Sequence, residues 1–134
     1  MFPRHDEVPD GALGAGAHTD CVVVRELLDR VGDKWSVQVI ALLGKHSHRF
    51  GELRTAIDGI SQRMLTLTLR QLERDGLVSR TVHQTMPPRV DYALTPLGES
   101  VLEPLGQLID WAREHGIDVA EARRRYDERP VLGN

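Results

Sequence analysis

The chain has 134 residues, of which 40% are hydrophobic, and this size and apolar content predict one folded domain. The formal net charge of −3 excludes a polybasic protein that coats nucleic acid by charge alone, and no stretch approaches the roughly 18 apolar residues of a membrane span. A single cysteine excludes an intrachain disulfide framework, and six aromatic residues are too few for a platform that stacks single-stranded bases. We therefore expect a cytoplasmic protein without membrane contact.

The chain begins with a segment, residues 1–19, that combines glycine, proline and scattered charges without an apolar period. We expect it to be a mobile arm and not a signal peptide. Apolar residues then recur at the spacing of one helix face, at Val24, Leu27, Leu28 and Val31. Asp20 is expected to cap this first helix, and Gly32 to end it in the left-handed conformation. Asp33 is expected to cap a second helix, Lys34–Leu43, which is apolar on most sides and therefore central and buried.

The middle of the chain predicts a helix-turn-helix. A short amphipathic helix is expected from Phe50 to Ile57, and Asp58-Gly59 then forms a tight turn. Ser61 is a favourable N-cap for a longer helix that runs to about Asp75 and ends at Gly76. Helix, tight turn and helix in this order have the spacing of a helix-turn-helix.

Two strands are predicted after this motif. The pattern changes to a period of two, in which Val78, Arg80 and Val82 alternate with Ser79, Thr81 and His83. Later, Val90, Tyr92 and Leu94 alternate with Asp91 and Ala93. Between them, Pro87 and Pro88 lack the backbone donor that a strand ladder needs. The expected fold is therefore mainly α-helical with a small β-hairpin, an α+β winged helix-turn-helix with flanking dimerisation helices.

The last third of the chain predicts helices that flank the wing. Thr95 can cap, and Pro96 can open, a helix whose apolar stripe comprises Leu97, Val101, Leu105, Leu108 and Ala112. Pro104 is expected to kink or interrupt it, and Asp118 to Tyr126 is expected to form a last short helix. The predicted division of the chain is a mobile arm at 1–19, a winged domain with dimerisation helices at 20–115, and a C-terminal helix or tail at 116–134.

The longer helix of the predicted motif carries candidate DNA-binding side chains. Its polar arc includes Gln62, Arg63, Thr66 and Arg70. Near the start of a helix in the major groove, Arg63 can pair with guanine and Gln62 with adenine, while Ser61 and the first-turn amides suit a phosphate. A solvated helix face would show the same pattern, so this helix does not decide the function alone. Leu67 also lies on this arc, and we expect it to pack on the preceding helix, with contact to a thymine methyl as the alternative.

The predicted wing adds further candidates. Arg89 follows the two prolines near the tip, where an arginine can enter the narrow minor groove. Arg80 and His83 lie on the strand that leads to the tip and are expected to meet backbone phosphates. Pairing of Arg89 with Asp91 or Glu99 is the alternative.

Charge is distributed unevenly along the chain. Residues 44–95 carry eight Lys and Arg against five Asp and Glu, whereas residues 1–43 and 96–134 each have a net charge of −3. A basic middle segment between acidic ends is what a contact with a polyanion such as double-stranded DNA requires. A chance distribution of a few charges would look the same.

Five segments together resemble the HxlR family of winged-helix regulators, over the region from Cys21 to about Trp111. They are Gly32–Trp35, Arg49–Arg54, Gly59–Thr66, Leu69–Val78 and Pro87–Gly98. The resemblance implies a dimeric bacterial transcriptional regulator, commonly a repressor, with dimer contacts from the first and last helices and a MarR-like shape. A homodimer also fits the physics, because two recognition helices about 34 Å apart reach successive major grooves.

The lone cysteine has two interpretations. We expect Cys21 one residue after the cap of the first helix, where the helix N-terminus and Arg25 favour the thiolate and Asp20 opposes it. The resemblance implies that a cysteine at this position senses oxidants or electrophiles, and two copies near a two-fold axis could form an interchain disulfide. The alternative is a small buried hydrophobic residue.

Other functions have weaker support. His18, Cys21, His46 and His48 match no standard zinc spacing, so we expect no metal, and no motif of an enzyme or a cofactor site is present. A small-molecule effector could replace redox control, with a pocket near Trp35, Phe50 and Trp111, although core packing also explains these aromatic residues. A protein-interaction module with the same fold is the remaining alternative.

Overall fold

The computed structural model describes residues 18–130, which form six helices and three strands. The elements are α1 (His18–Gly32), α2 (Lys34–Leu43), β1 (His48–Arg49), α3 (Phe50–Ala56), α4 (Gln62–Arg74), β2 (Val78–His83), β3 (Arg89–Leu94), α5 (Pro96–Glu99) and α6 (Leu102–Glu128). The described residues divide into two compact units between Glu99 and Ser100. The first unit contains every element from α1 to α5, and α6 belongs to the second.

The core of the first unit forms around α2. Val39, Ile40 and Leu43 are buried, as the apolar character of this helix predicts. They are joined by the buried residues Leu53, Ile57, Ile60, Leu65, Leu69, Leu72, Leu77 and Val78. Because α2 packs against both α1 and α4, it holds the helix-turn-helix to the rest of the unit. The winged helix-turn-helix expected from the sequence is therefore confirmed.

Three predicted N-caps are present as hydrogen bonds. Carboxylate Oδ2 of Asp33 accepts from the backbone N–H of Ser36 at 3.0 Å. Hydroxyl Oγ of Ser61 accepts from the N–H of Met64 at 3.0 Å. Thr95 acts in the same way for α5, because its Oγ1 accepts from the N–H of Gly98 at 3.0 Å. Each bond satisfies a donor that the first turn of a helix leaves without an intrahelical partner.

The predicted hairpin is one part of a three-stranded antiparallel sheet with the order β1-β3-β2. β2 and β3 pair along their whole length, from Val78 opposite Leu94 to His83 opposite Arg89. The sequence did not indicate β1, whose two residues pair with the other edge of β3, at Tyr92 and Asp91. A two-residue strand lacks a period of its own, so only its distant partner identifies it.

The helices at both ends of the described region differ from the predictions. α1 already includes His18, so Asp20 lies inside the helix and the prediction that it is the N-cap is wrong. The predicted arm otherwise lies outside the described residues. Gly32 was expected to be left-handed, but within residues 18–130 positive φ angles occur only at Gly59 and Gly76, at 81° and 79°. Gly59 lies in the turn between α3 and α4, and Gly76 directly follows the C-cap of α4, two places where a left-handed residue turns the chain.

The last predicted helices are joined differently. The break falls at Ser100 and Val101, and Pro104 sits in the first turn of α6, where its missing N–H has no intrahelical acceptor in any case. α6 then continues without interruption to Glu128, so the separate helix predicted for Asp118 to Tyr126 does not exist. Gly116 lies inside α6, as does Gly106, because a long helix tolerates each interior glycine at a cost of about 1 kcal/mol.

The C-terminal end of α4 is fixed by contacts with distant parts of the first unit. Arg30 Nε donates to Asp75 Oδ2 at 2.7 Å, an ion pair that links α1 to the C-cap of α4. The backbone N–H of Leu77 bonds to the carbonyl of Leu72 at 3.0 Å. Gly98 is buried nearby, and a Cβ at this position would lie 2.0 Å from the carbonyl oxygen of Leu77. The end of α4 is thus held while its beginning faces outward.

Candidate nucleic-acid interface

The beginning of α4 presents the polar face that the sequence predicts. Leu65, Thr68, Leu69 and Leu72 are buried on one side of the helix. Gln62, Arg63 and Arg70 are exposed on the other side, and Thr66 is half-buried beside them. Ser61, also exposed, caps the helix, and its hydroxyl is occupied by the Met64 N–H. The structure therefore brings the five predicted residues of this helix to one surface.

This surface is cationic and includes one leucine. A shallow depression is lined by Gln62, Arg63, Thr66, Leu67 and Arg70. Within residues 18–130, neither arginine forms an ion pair. Leu67 remains 47% exposed, so about half of its side chain is left uncovered by the rest of the unit. Thr66 Oγ1 donates to the Gln62 carbonyl at 2.8 Å, so its hydroxyl proton is already engaged within the helix.

Arg70 also borders a second, more enclosed cavity, together with the predicted wing residue Arg80. This cavity of about 310 Å³ lies between α4 and the sheet and is lined by Phe50, Thr66, Leu69, Arg70, Glu73, Arg80 and Tyr92. Neither Arg70 nor Arg80 has an ion-pair partner in the described part of the chain. Two guanidinium groups outnumber the one carboxylate of this lining, Glu73, and they lie beside two aromatic rings. This arrangement suits an anion, either a phosphate or a small planar acid.

The charged residues of the wing are arranged differently. His83 and Arg89 are opposite each other in the β2–β3 ladder, and Asp91 lies beside both. His83 Nε2 is 2.8 Å from Asp91 Oδ2, and Arg89 Nε is 3.5 Å from the same oxygen. The pairing of Arg89 with Asp91, which the sequence left as the alternative to DNA contact, is thus present. The Arg89 side chain nevertheless stays 42% exposed, so its outer nitrogens can still reach a phosphate.

Cys21 is the fourth residue of α1 as described, and not the residue directly after a cap at Asp20. It is half-buried and forms no disulfide. Val22 and Val23 directly after it are 54% and 46% exposed. The thiol therefore lies at the edge of an exposed apolar strip, which is an uncommon place for a purely structural cysteine.

The three aromatic residues predicted for an effector pocket lie on different elements, Trp35 and Phe50 in the first unit and Trp111 in the second. Trp35 lies under the ammonium of Lys34, at 4.5 Å from the ring centre. Phe50 lines the cavity beside α4, and Trp35 is not among the described residues around that cavity. Trp111, on α6, stacks on His115 with ring centres 5.0 Å apart.

The histidines and acidic residues of the described region form no metal site. No group of three or more His, Cys, Asp or Glu in residues 18–130 is placed to hold a metal ion. The rings of His46 and His48 stack at 4.2 Å, and His48 Nδ1 lies 2.8 Å from the His46 carbonyl oxygen. None of the described helices is both long and apolar enough to cross a bilayer.

Comparison with known proteins identifies the family of this chain. The family model described as HxlR-like helix-turn-helix matches residues 30–119. The chain belongs to the HxlR family. It is 41% identical over 105 residues to the HTH-type transcriptional regulator YtfH of Escherichia coli, covering 78% of this chain and 81% of that protein. HxlR proteins are DNA-binding transcriptional regulators, so this family member is not an enzyme.

Solved structures agree with this assignment. The regulator YtfH from Salmonella typhimurium is similar with a TM-score of 0.69 and 38% identity, covering 75% of this chain and 90% of that one. The redox regulator HypR in its reduced form has a TM-score of 0.67 and 38% identity, over 75% of this chain and 98% of HypR. The oxidised form of HypR is similar too, with a TM-score of 0.64.

Proposed function

We propose that this HxlR protein is a homodimeric repressor that reads a specific operator with α4 and contacts the flanking DNA backbone with its wing. The observation that carries the proposal is the cationic, exposed face at the start of α4. Arg63 and Gln62 have the side chains that pair with guanine and adenine in the major groove. They stand in the first turn, which is the part of such a helix that contacts base edges.

The other polar residues have positioning roles. Ser61 and the first-turn amides of α4 receive a phosphate, and Arg70 and Arg80 hold the backbone beside the major groove. Arg89 reaches the minor groove or its phosphates from the wing, and His83 contacts a backbone phosphate. Thr66 supports the reading face from within the helix, because its hydroxyl is bonded to Gln62.

Dimerisation uses α1 and α6, in keeping with the family resemblance. On α1, Val22, Val23 and Leu28 are each about half exposed, and on α6 Leu108 and Ile117 are 51% and 82% exposed. Contiguous exposed apolar residues on a helix mark an association surface. Leu105, which the sequence assigned to the same seam, is buried within the single chain and contributes less to a partner.

Oxidation of Cys21 is the proposed signal that releases the operator. Similarity to the redox regulator HypR and the place of Cys21 beside the apolar strip of α1 support this. In a dimer joined through α1, two Cys21 thiols could form an interchain disulfide by losing two protons and two electrons to an oxidant such as diamide. The Arg30–Asp75 pair connects α1 to the end of α4, so a shift of α1 reaches the reading helix.

The experiment is a fluorescence-anisotropy titration on DNA from the upstream region of the gene, at fixed salt and with competitor DNA. The parent and Cys21→Ser are compared before and after diamide treatment. We expect both to prefer the upstream DNA when reduced, and only the parent to release it after oxidation. Equal binding by both proteins after diamide would overturn the thiol switch. Absence of any preference for the upstream DNA over competitor would count against operator recognition there and favour a protein-interaction module.

A small-molecule effector is the second candidate signal, and the cavity between α4 and the sheet favours it. Its volume of about 310 Å³ suits a small aromatic acid, with Phe50 and Tyr92 against the ring and Arg70 or Arg80 on the carboxylate. Such a ligand would compete with a phosphate for the same guanidinium groups. Release of DNA by benzoate in both the parent and Cys21→Ser would favour this control over the thiol switch.

A further inference from the structure

Leu67 is far more exposed than the other leucines of α4. Leu65 and Leu72 on α4 are fully buried, whereas Leu67 on the same helix is 47% exposed. A single exposed leucine is common on protein surfaces and needs no explanation by itself. The surroundings of Leu67 make it informative, because it lines the same depression as Gln62, Arg63, Thr66 and Arg70. The one large apolar side chain of the reading face therefore lies among the residues that face DNA.

Thr66 extends this apolar character. Its hydroxyl donates to the Gln62 carbonyl at 2.8 Å, so the proton is not available to a base. This hydrogen bond to the preceding turn also fixes the side-chain rotamer, since a threonine has few alternatives in a helix. With the hydroxyl bonded to the Gln62 carbonyl, we expect Thr66 to add its methyl group to the depression that it lines together with Leu67.

The charges around Leu67 and Thr66, which together form an apolar spot, indicate the kind of partner that the spot fits. Arg63 and Arg70 border it, and no described residue around the depression is a carboxylate. An apolar spot between two cations without ion-pair partners suits a polyanion that also carries an exposed hydrocarbon group. Duplex DNA offers one such group in the major groove, the C5-methyl of thymine, and apolar side chains recognise it there.

We propose that Leu67, supported by the Thr66 methyl, is a specificity-determining residue that contacts the C5-methyl of a thymine next to the base pair read by Arg63. The inference rests on the proposed function, since it requires α4 in the major groove. It adds a sequence preference that hydrogen bonding does not supply. The operator is expected to contain a thymine at a fixed distance from the guanine that Arg63 contacts.

The test uses duplexes that the purified protein itself selects from a random-sequence library in the presence of competitor DNA. In the enriched duplex, each thymine is replaced in turn by deoxyuridine, which removes only the methyl group. For the parent, we expect one thymine position per half-site where this replacement weakens binding about fourfold, the effect of one buried methyl. Other thymines should tolerate the replacement.

Two variants complete the test. Leu67→Ala should bind the thymine and deoxyuridine duplexes equally at that position, whereas Leu67→Met, which keeps an apolar chain of similar size, should retain most of the discrimination. Both should unfold at nearly the parent temperature, because Leu67 is outside the core. Unchanged discrimination in Leu67→Ala, or tolerance of deoxyuridine at every position by the parent, would overturn the inference while operator binding stands. Failure to enrich any duplex would overturn the proposed function and this inference together.

Discussion

The helix α4 and the wing both carry candidate DNA contacts but hold their arginines in different electrostatic surroundings. On α4, Arg63 and Arg70 stand without ion-pair partners in the described residues and border an open depression. On the wing, Arg89 and His83 share the carboxylate of Asp91. Under the proposed function, Arg63, Arg70 and the wing residue Arg80 can meet DNA without losing an ion pair. Arg89 must instead exchange a carboxylate for a phosphate.

This difference predicts that α4 contributes most of the sequence specificity, whereas Arg89 on the wing adds a smaller, general affinity for DNA. A guanidinium without an intramolecular partner contributes its whole interaction when it meets a base, and a bidentate contact distinguishes that base from others. A cation that leaves an exposed ion pair gains only the difference between two partners, and the pair itself is worth about 0–1 kcal/mol. We therefore expect substitutions on α4 to have larger effects than substitutions on the wing.

The largest effect is expected for Arg63→Ala. Loss of a bidentate base contact should weaken binding to the selected duplex by about 1–3 kcal/mol and relax the preference at one base pair. Anisotropy titrations at fixed salt, on the selected duplex and on duplexes changed at single positions, measure both quantities. Arg74→Ala is the matched control, because it removes the same charge from the last turn of the same helix. If Arg63→Ala binds as tightly and selectively as the parent, α4 does not read the operator as proposed.

A smaller and more uniform effect is expected for Arg89→Ala. In the proposed complex Arg89 meets backbone and groove without a base-specific bond, so its loss should weaken selected and competitor duplexes by similar factors. The slope of log affinity against log salt should become shallower by about one, the contribution of one phosphate contact. Titrations at several salt concentrations measure this slope. A loss confined to the selected duplex would show that the wing reads sequence, and the contrast with α4 would disappear.

Local signals in the sequence are sufficient to predict most of this fold. A short polar side chain directly before a helical apolar pattern can accept a hydrogen bond from the first turn, which predicts an N-cap. This signal predicts the caps Asp33, Ser61 and Thr95, and each is present as a hydrogen bond. The period of two predicts β2 and β3 directly, and the proline pair between them predicts the loop. The residues on the face of α4 follow from helical geometry alone.

The features that the sequence did not predict depend on distant contacts. β1 exists through its pairing with β3, and no local period could indicate it. Pro104 suggested an interruption, yet a proline in a first turn fits a helix well, and the position of that first turn depends on where the preceding break falls. The exposure of Leu67 depends on how α4 packs in the unit. The sequence left open whether Arg89 pairs with Asp91, and the answer depends on the strand ladder that brings the two side chains together.

The smallest effect, and the most direct test of the contrast, is expected for Asp91→Asn. The amide keeps the size of the side chain but removes the negative charge beside His83 and Arg89, so the Arg89 guanidinium becomes available to DNA without an exchange of partner. Binding to all duplexes should tighten by a few fold, in keeping with the modest worth of exposed ion pairs, and the salt dependence should steepen. In the double variant Asp91→Asn with Arg89→Ala, most of that gain should vanish. Weaker binding by Asp91→Asn alone would mean that the carboxylate preorganises the wing for DNA. The paired wing would then be as well prepared to bind DNA as α4 is. The difference in ion pairing between the two regions would no longer explain their roles.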